Sequence, residues 1–251
     1  MTSTPMDALR GGAGKVGTVF SWWAVLWTGF VITIKLSLIC SLTTILLAAL
    51  IAIARIHPRR IVRAIGEVYA DVLRSIPLLA LLLFVYYGLG HVAQSYGISA
   101  FWLAVMAITL SESAYLSEVY RAALQAVPAG QREAAASLGL PWWRTVWLVI
   151  APQGIAPSLP TTVNAVVGIV KGSSLASLIA LSEATLVATN LVSQTFQPMG
   201  VYLTLTLMYL VILIPLSLVG KALETRFGAV RAADGYRRLR RRALTSLTPE
   251  V

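Results

Sequence analysis

Gln131-Arg-Glu-Ala-Ala-Ala-Ser-Leu-Gly139, continuing as Leu140-Pro141-Trp142-Trp143-Arg144, is the one polar, well-punctuated stretch between long apolar runs in the middle of the chain. Pro128 can open a helix here, because its fixed φ suits a first turn and its missing N–H loses nothing there. Glu133 is expected in that first turn, where the helix dipole favours an anion. Ala134, Ala135 and Ala136 are strong helix formers and leave a nearly flat surface. Gly139 fits the left-handed position just past a helix end. Pro141 forbids simple continuation, so a second helix restarts at a new angle. The expectation is a two-turn helix with a small-residue face and one fixed carboxylate, a shape that slots into a groove on a partner protein. An ordinary connector between two membrane helices carries the same pattern, so the residues alone leave both readings open.

The flanking runs decide the solvent. The chain has 251 residues, 57% of them hydrophobic and 12% charged, with a mean hydropathy of +0.78. An ordinary globular protein carries about 25% charged residues, so a soluble protein is excluded. The reading is an all-α integral membrane protein. The net charge of +10 could suggest nucleic acid, but the basic residues sit at the ends of apolar runs, as topology signals do. Cys40 is alone in an apolar run, so no disulfide framework or metal site is on offer. His57 and His91 lie in separate loops and make no metal pair. Residues 1–20 show no basic segment leading into a short apolar core, so no cleaved signal peptide is expected.

Five spans are expected at about 29–54, 74–90, 100–120, 161–181 and 201–223, each long enough to cross about 30 Å of hydrocarbon. Residues 1–24 read as a loose tail with an interfacial tryptophan group, 25–228 as the membrane domain, and 229–251 as a basic tail. Ile61 to Arg74 is a short polar-flanked segment that suits an interfacial helix. Pro152, Pro157 and Pro160 are expected to break the fourth apolar run, so that its straight part starts near Thr161. Ser182 to Gly200 reads as a polar connector. With the 128–144 loop inside, residues 55–74, 121–144 and 221–251 are inside too, and they hold 16 of the 20 Lys and Arg residues. The positive-inside rule then puts the amino terminus outside and the carboxyl terminus in the cytoplasm. The basic tail is read as attracted to anionic lipid rather than nucleic acid.

Glu133-Ala134-Ala135-x3-Gly139 followed by Pro152 resembles the EAA motif of the membrane subunits of type I ABC importers. The family's Ile-x-Leu-Pro ending is softened here to Val149-Ile150-Ala151-Pro152. Arg74-Ser75-Ile76-Pro77-Leu78, Tyr86-Tyr87-Gly88, Ser113 to Arg121, Val127 to Gln131, Leu159-Pro160 and Ile169 to Leu175 are similar to the polar-amino-acid permease branch, so the likeness runs over about residues 25–228. The resemblance implies a coupling helix resting on a cytoplasmic ATPase, and it makes Gln131, Glu133, Ala134, Ala135, Gly139 and Leu140 the coupling candidates. It implies two ATPase subunits, a second permease subunit and an extracytoplasmic solute-binding protein as partners, in a bacterial inner membrane. ATP and magnesium would belong to the ATPase, since this sequence has no Gly-x4-Gly-Lys-Ser/Thr loop.

Ionisable groups at membrane depth are costly and draw attention as functional groups. Glu112 lies mid-span beside Ser111, Ser113 and Tyr115, where it either binds the cation of a substrate or pairs with a neighbouring helix. Glu118 and Arg121 are three residues apart and can share a face. Lys171, Ser173 and Ser174 follow small residues, and the resemblance places them along the translocation path; a snorkelling lysine with packed serines is the structural alternative. Gln153 and Asn164 are further polar candidates. An importer of a polar amino acid is the expected function, with an opine, an ectoine-like solute or cystine as alternative cargo. A stand-alone channel or secondary carrier leaves the Glu-Ala-Ala loop without a role.

Overall fold

A computed structural model of the chain describes the backbone of residues 15–245 and the side chains of 22–227. The elements are α1 (Lys15–Arg55), α2 (Arg60–Ser75), α3 (Leu78–Ser95), α4 (Ala100–Gln125), α5 (Ala129–Ser137), α6 (Trp142–Arg144), a π-helical turn (Thr145–Ile150), α7 (Ala151–Gly172), a 3₁₀ segment (Ser173–Ile179), α8 (Ala184–Thr195) and α9 (Pro198–Thr245). Five stretches are long and apolar enough to cross a membrane, at Trp22–Arg55, Leu78–Ser95, Ala100–Gln125, Trp142–Ile179 and Pro198–Phe227.

Helix α1 shows how the solvent shapes the sequence. Leu38, Leu42, Leu46 and Leu50 recur every four residues and are 62–66% exposed, forming a ridge toward the bilayer. The opposite face carries Thr33, Leu36, Ser37, Cys40, Thr44, Ala48 and Ala52, all buried. Small side chains bring helices close where lipid provides no hydrophobic drive. Accordingly α1 packs along α4, Ala48 and Ala52 of the first and Ala104, Ala107 and Ala114 of the second are fully buried, and the hydroxyls of Thr43 and Thr109 meet at 2.7 Å between the two helices.

The core has three parts. One joins α1, α3, α4 and the 3₁₀ segment around Leu36, Leu82, Ile108 and Ile179. A second joins α1, α8 and α9 around Leu26, Phe30, Ala188 and Met208. The third, at the far end of α1, gathers Ala52, Leu124, Val127, Val146 and Ile150.

Several expected boundaries move. Helix runs unbroken from Trp142 through Gly172, so the fourth span starts well before Thr161. Pro152 lies in the first turn of α7, directly after the π-helical turn, and Pro157 and Pro160 lie inside the helix. The wider π turn gives room where the Pro152 ring would otherwise meet a carbonyl, and proline is tolerated in membrane helices whose freed carbonyls find other partners. Ser158 and Thr162 hydroxyls donate to the Ile155 and Ser158 carbonyls at 2.7 and 3.0 Å in this region. The second span begins at Leu78 rather than 74, because Ile76 and Pro77 are extended and separate α2 from α3. The 182–200 connector contains α8, and α1 already includes residues 15–24. The backbone of α9 continues to Thr245, while the basic side chains of the 229–251 tail lie outside the described residues.

Candidate coupling site

Helix α5 is held by its ends. Pro128 is the N-cap, with φ −53° and ψ 137°, rather than a first-turn residue. That makes Glu133 the fifth helical residue, so it sits beyond the turn where the dipole acts most strongly. Leu138 closes the helix, and Gly139 follows with φ +71°. The Gly139 N–H donates to the Ala136 carbonyl at 2.9 Å and the Leu140 N–H to the Ala135 carbonyl at 3.1 Å, the pair of bonds that defines a Schellman ending. A β-carbon at Gly139 would meet open space, so only the dihedral demands glycine.

The two faces of α5 differ. Gln131, Glu133, Ala134 and Ala136 are exposed, Leu138 is 80% exposed, and Leu140 is half-buried. Ala135 is 3% exposed and faces the chain's own interior, so it leaves the set of residues open to a partner. Ala134 and Ala135 are neighbours in the chain, and a one-residue step of about 100° around the helix turns the first outward and the second inward. Two side chains tie α5 inward. Arg132 donates to the Leu124 carbonyl at 2.9 Å, at the end of α4, and Gln153 of α7 reaches Gln131 Oε1 at 3.5 Å while donating to the Val149 carbonyl at 2.8 Å. Beneath lies the third core part, flanked by Trp142 against His57 with ring centroids 4.4 Å apart.

Next to this platform, three arginines converge on one carboxylate. Glu118 meets Arg55 at 2.7 Å and Arg74 at 3.8 Å, and it pairs with Arg121 on its own helix. The side chain of Arg55 is 6% exposed, and its Nε and Nη1 have no partner among the described residues. The cluster joins the ends of α1, α2 and α4. Tyr115 is 51% exposed and donates to the Arg74 carbonyl at 3.0 Å, which makes it part of this junction.

The other membrane-depth candidates do not converge. Glu112 is half-buried and has no hydrogen-bond or ion partner among the described residues. Lys171 is exposed. Ser173 is buried, donates to the Val170 carbonyl at 2.8 Å and receives the Ser37 hydroxyl at 3.4 Å, while Ser174 donates to the Lys171 carbonyl at 2.8 Å. Asn164 is exposed opposite Gly220 of α9.

Residues 44–229 match the family described as binding-protein-dependent transport system inner membrane component, with α5 and the platform inside the match. The chain belongs to that family. Among the relatives of this transport component is the arginine transport system permease protein ArtQ of Bacillus subtilis (strain 168), 30% identical over 198 residues, covering 79% of this chain and 90% of that one. The nopaline transport system permease protein NocM of Agrobacterium fabrum (strain C58 / ATCC 33970) is 33% identical over 188 residues, covering 72% and 78%. A crystal structure of an amino acid ABC transporter with histidines contains a chain of similar fold, with a TM-score of 0.71 at 28% identity over 90% of this chain and 100% of that one.

One buried group of this inner-membrane component escaped the reading of its sequence. Glu183 is fully buried between the fourth and fifth spans. It caps α8 by accepting from the Thr185 and Leu186 N–H groups at 2.8 and 3.1 Å. Its other oxygen accepts the Thr33 hydroxyl of α1 at 3.1 Å and the Tyr209 hydroxyl of α9 at 3.5 Å. Burial pushes the Glu183 carboxyl above its ordinary range, against the lowering effect of those hydrogen bonds. The sequence held little signal for it, since Glu is not among the usual N-cap residues and the α8 stretch is rich in Thr, Ser and Asn, which are weak helix formers.

Proposed function

We propose that this permease component carries a polar amino acid into the cell, driven by a separate ATPase that grips α5. The observation that carries the reading is the geometry of α5. Its outward face offers Gln131, Glu133, Ala134 and Leu138, while Arg132 and Gln153 fasten it to α4 and α7. A push on that face is delivered to two membrane helices at once, which is the requirement for rigid-body rocking between inward- and outward-open states. The ATP and magnesium belong to the partner in this scheme. A second permease subunit, a copy or a relative, completes the passage, and an outer binding protein delivers the solute. The amino terminus lies outside and the carboxyl terminus inside.

Glu112 is the candidate for the substrate's cation, being half-buried and unpaired among the described residues. Lys171, Ser173 and Ser174 are the candidates along the path, Lys171 as the cation for a substrate carboxylate. An opine is the second cargo reading, favoured by the nopaline relative's 33% identity.

ATPase turnover of the complex in nanodiscs tests this reading, with wild type beside Glu133→Ala and an outer binding protein loaded with arginine, glutamine, histidine or nopaline in turn. The expected result is stimulation by one loaded ligand in wild type and near-basal turnover in the variant. Solute movement by this chain in vesicles without any ATPase would overturn it.

A further inference from the structure

Helix α2 has three faces. Gly66 and Ala70 are buried, with Tyr69 beside them, against α1 and α4. Arg60, Arg63, Glu67, Asp71 and Arg74 recur at three- and four-residue steps and make a charged face. Ile61, Ile65, Val68 and Val72, at steps of four, three and four, make the last, and they are 77, 66, 62 and 52% exposed. Nothing in the described chain covers that aliphatic stripe.

The charges are unequally used. Arg63 approaches Glu67 at 3.9 Å and Arg74 binds Asp71 at 2.7 Å. Arg59 and Arg60 are exposed and have no ion pair among the described residues, and no side chain caps the first turn of α2. Two free guanidinium groups therefore flank one end of an uncovered aliphatic stripe. The helix also has a fixed level. It links the end of the first span at Arg55 to the start of the second at Leu78, on the side where Ala52 and Ile56 of that end pack with Leu124 and Val127 below α5.

We propose that α2 lies in the membrane surface on an anionic phospholipid layer. Ile61, Ile65, Val68 and Val72 enter the acyl boundary, and Arg59 and Arg60 hold headgroup phosphates. Charge complementarity selects this occupant. A bilayer surface supplies an apolar phase and an adjoining layer of phosphate at the level a helix in the interface occupies, and the guanidinium fork matches phosphate oxygens. A protein partner would have to present an apolar groove and separate carboxylates for both arginines. The contact also has a route inward. Gly66 lets α2 sit directly on Arg55, since a β-carbon there would come within 2.7 Å of Arg55 Cγ. Arg55 in turn pairs with Glu118 on the helix that leads into α5.

The test uses the full chain in its complex, in nanodiscs of phosphatidylcholine with and without phosphatidylglycerol, on a Cys40→Ala background. Nitroxide labels are placed at Val68→Cys and Asp71→Cys. The Val68 label should collide with oxygen and be shielded from an aqueous nickel chelate, and the Asp71 label should show the reverse. Spin-labelled phosphatidylglycerol should be enriched at the protein boundary over phosphatidylcholine, and Arg59→Gln with Arg60→Gln should cut that preference by up to about fivefold for each arginine removed. Shielding of the Val68 label from both reagents would show a protein covering the stripe and overturn the proposal, as would free access of nickel. An unchanged preference in the double variant would overturn the headgroup assignment.

Discussion

Gly139 matters for its backbone rather than its size. At φ +71° with open space around it, Gly139→Ala should cost about 1 kcal/mol and Gly139→Val about 2 kcal/mol of local strain. Both variants should reach the membrane, and Val should lose most of the ligand-stimulated ATPase activity in the same nanodisc measurement; unimpaired stimulation would sink the capping argument. Glu118 makes a different prediction. Removing it as Glu118→Ala leaves Arg55 buried and unpaired, and breaking such a pair costs roughly 3–5 kcal/mol. Arg55→Met with Glu118→Leu should recover most of that, because two apolar side chains replace two charges. Thermal unfolding in detergent checks both, and equal losses in the single and double variants would count against the ion pair. At this scale the sequence was partly legible. Gly139 announced its conformation, and Glu118 and Arg121 their shared face, because both are local facts. Arg55 and Arg74 join them from other helices, which spacing along the chain does not reveal.

At the level of elements, membrane-length apolar runs were readable because a bilayer fixes how many residues a crossing takes. The ends of those elements were not. Proline was weighed as a helix breaker, yet α7 carries Pro157 and Pro160 inside it, as membrane helices tolerate. Helix α8 was read as a connector because its Thr, Ser and Asn content is poor for helices; Glu183 at its start overrides that propensity by capping it and bonding to α1 and α9. The Glu183 carboxyl sits above its ordinary value, so the folded state binds its proton more tightly than the unfolded chain. Its contribution is therefore full below the unfolded value of about 4.3 and is lost as pH rises through the higher folded value. Glu183→Gln keeps an acceptor for the α8 N–H groups and should flatten that part of the stability profile. Glu183→Ala should lose about 1–3 kcal/mol, because the Thr185 and Leu186 N–H groups at the start of α8 lose their acceptor. A midpoint scan across pH decides it, and a slope unchanged in the Gln variant would refute the assignment.

For the molecule as a whole, the family and the five crossings were legible because bilayer thickness and the Glu-Ala-Ala loop both leave marks along the chain. The packing that turns the loop into a lever was not, since Gln153 meets Gln131 across 22 residues. Gln153→Leu should therefore lower stimulated transport several-fold while basal ATPase activity persists, read in proteoliposomes. One last property follows from where the charges lie. Every ion pair among the described residues belongs to the end of α1, to α2 or to the end of α4. Screening acts over about 8–10 Å at ordinary ionic strength and cannot act through hydrocarbon. Salt is thus a quantity with a direction for this protein. In sealed vesicles, potassium chloride raised in the compartment that bathes α5 should loosen the exposed Arg63–Glu67 pair of α2 more than the buried Arg55–Glu118 pair, and the same salt across the membrane should leave both untouched.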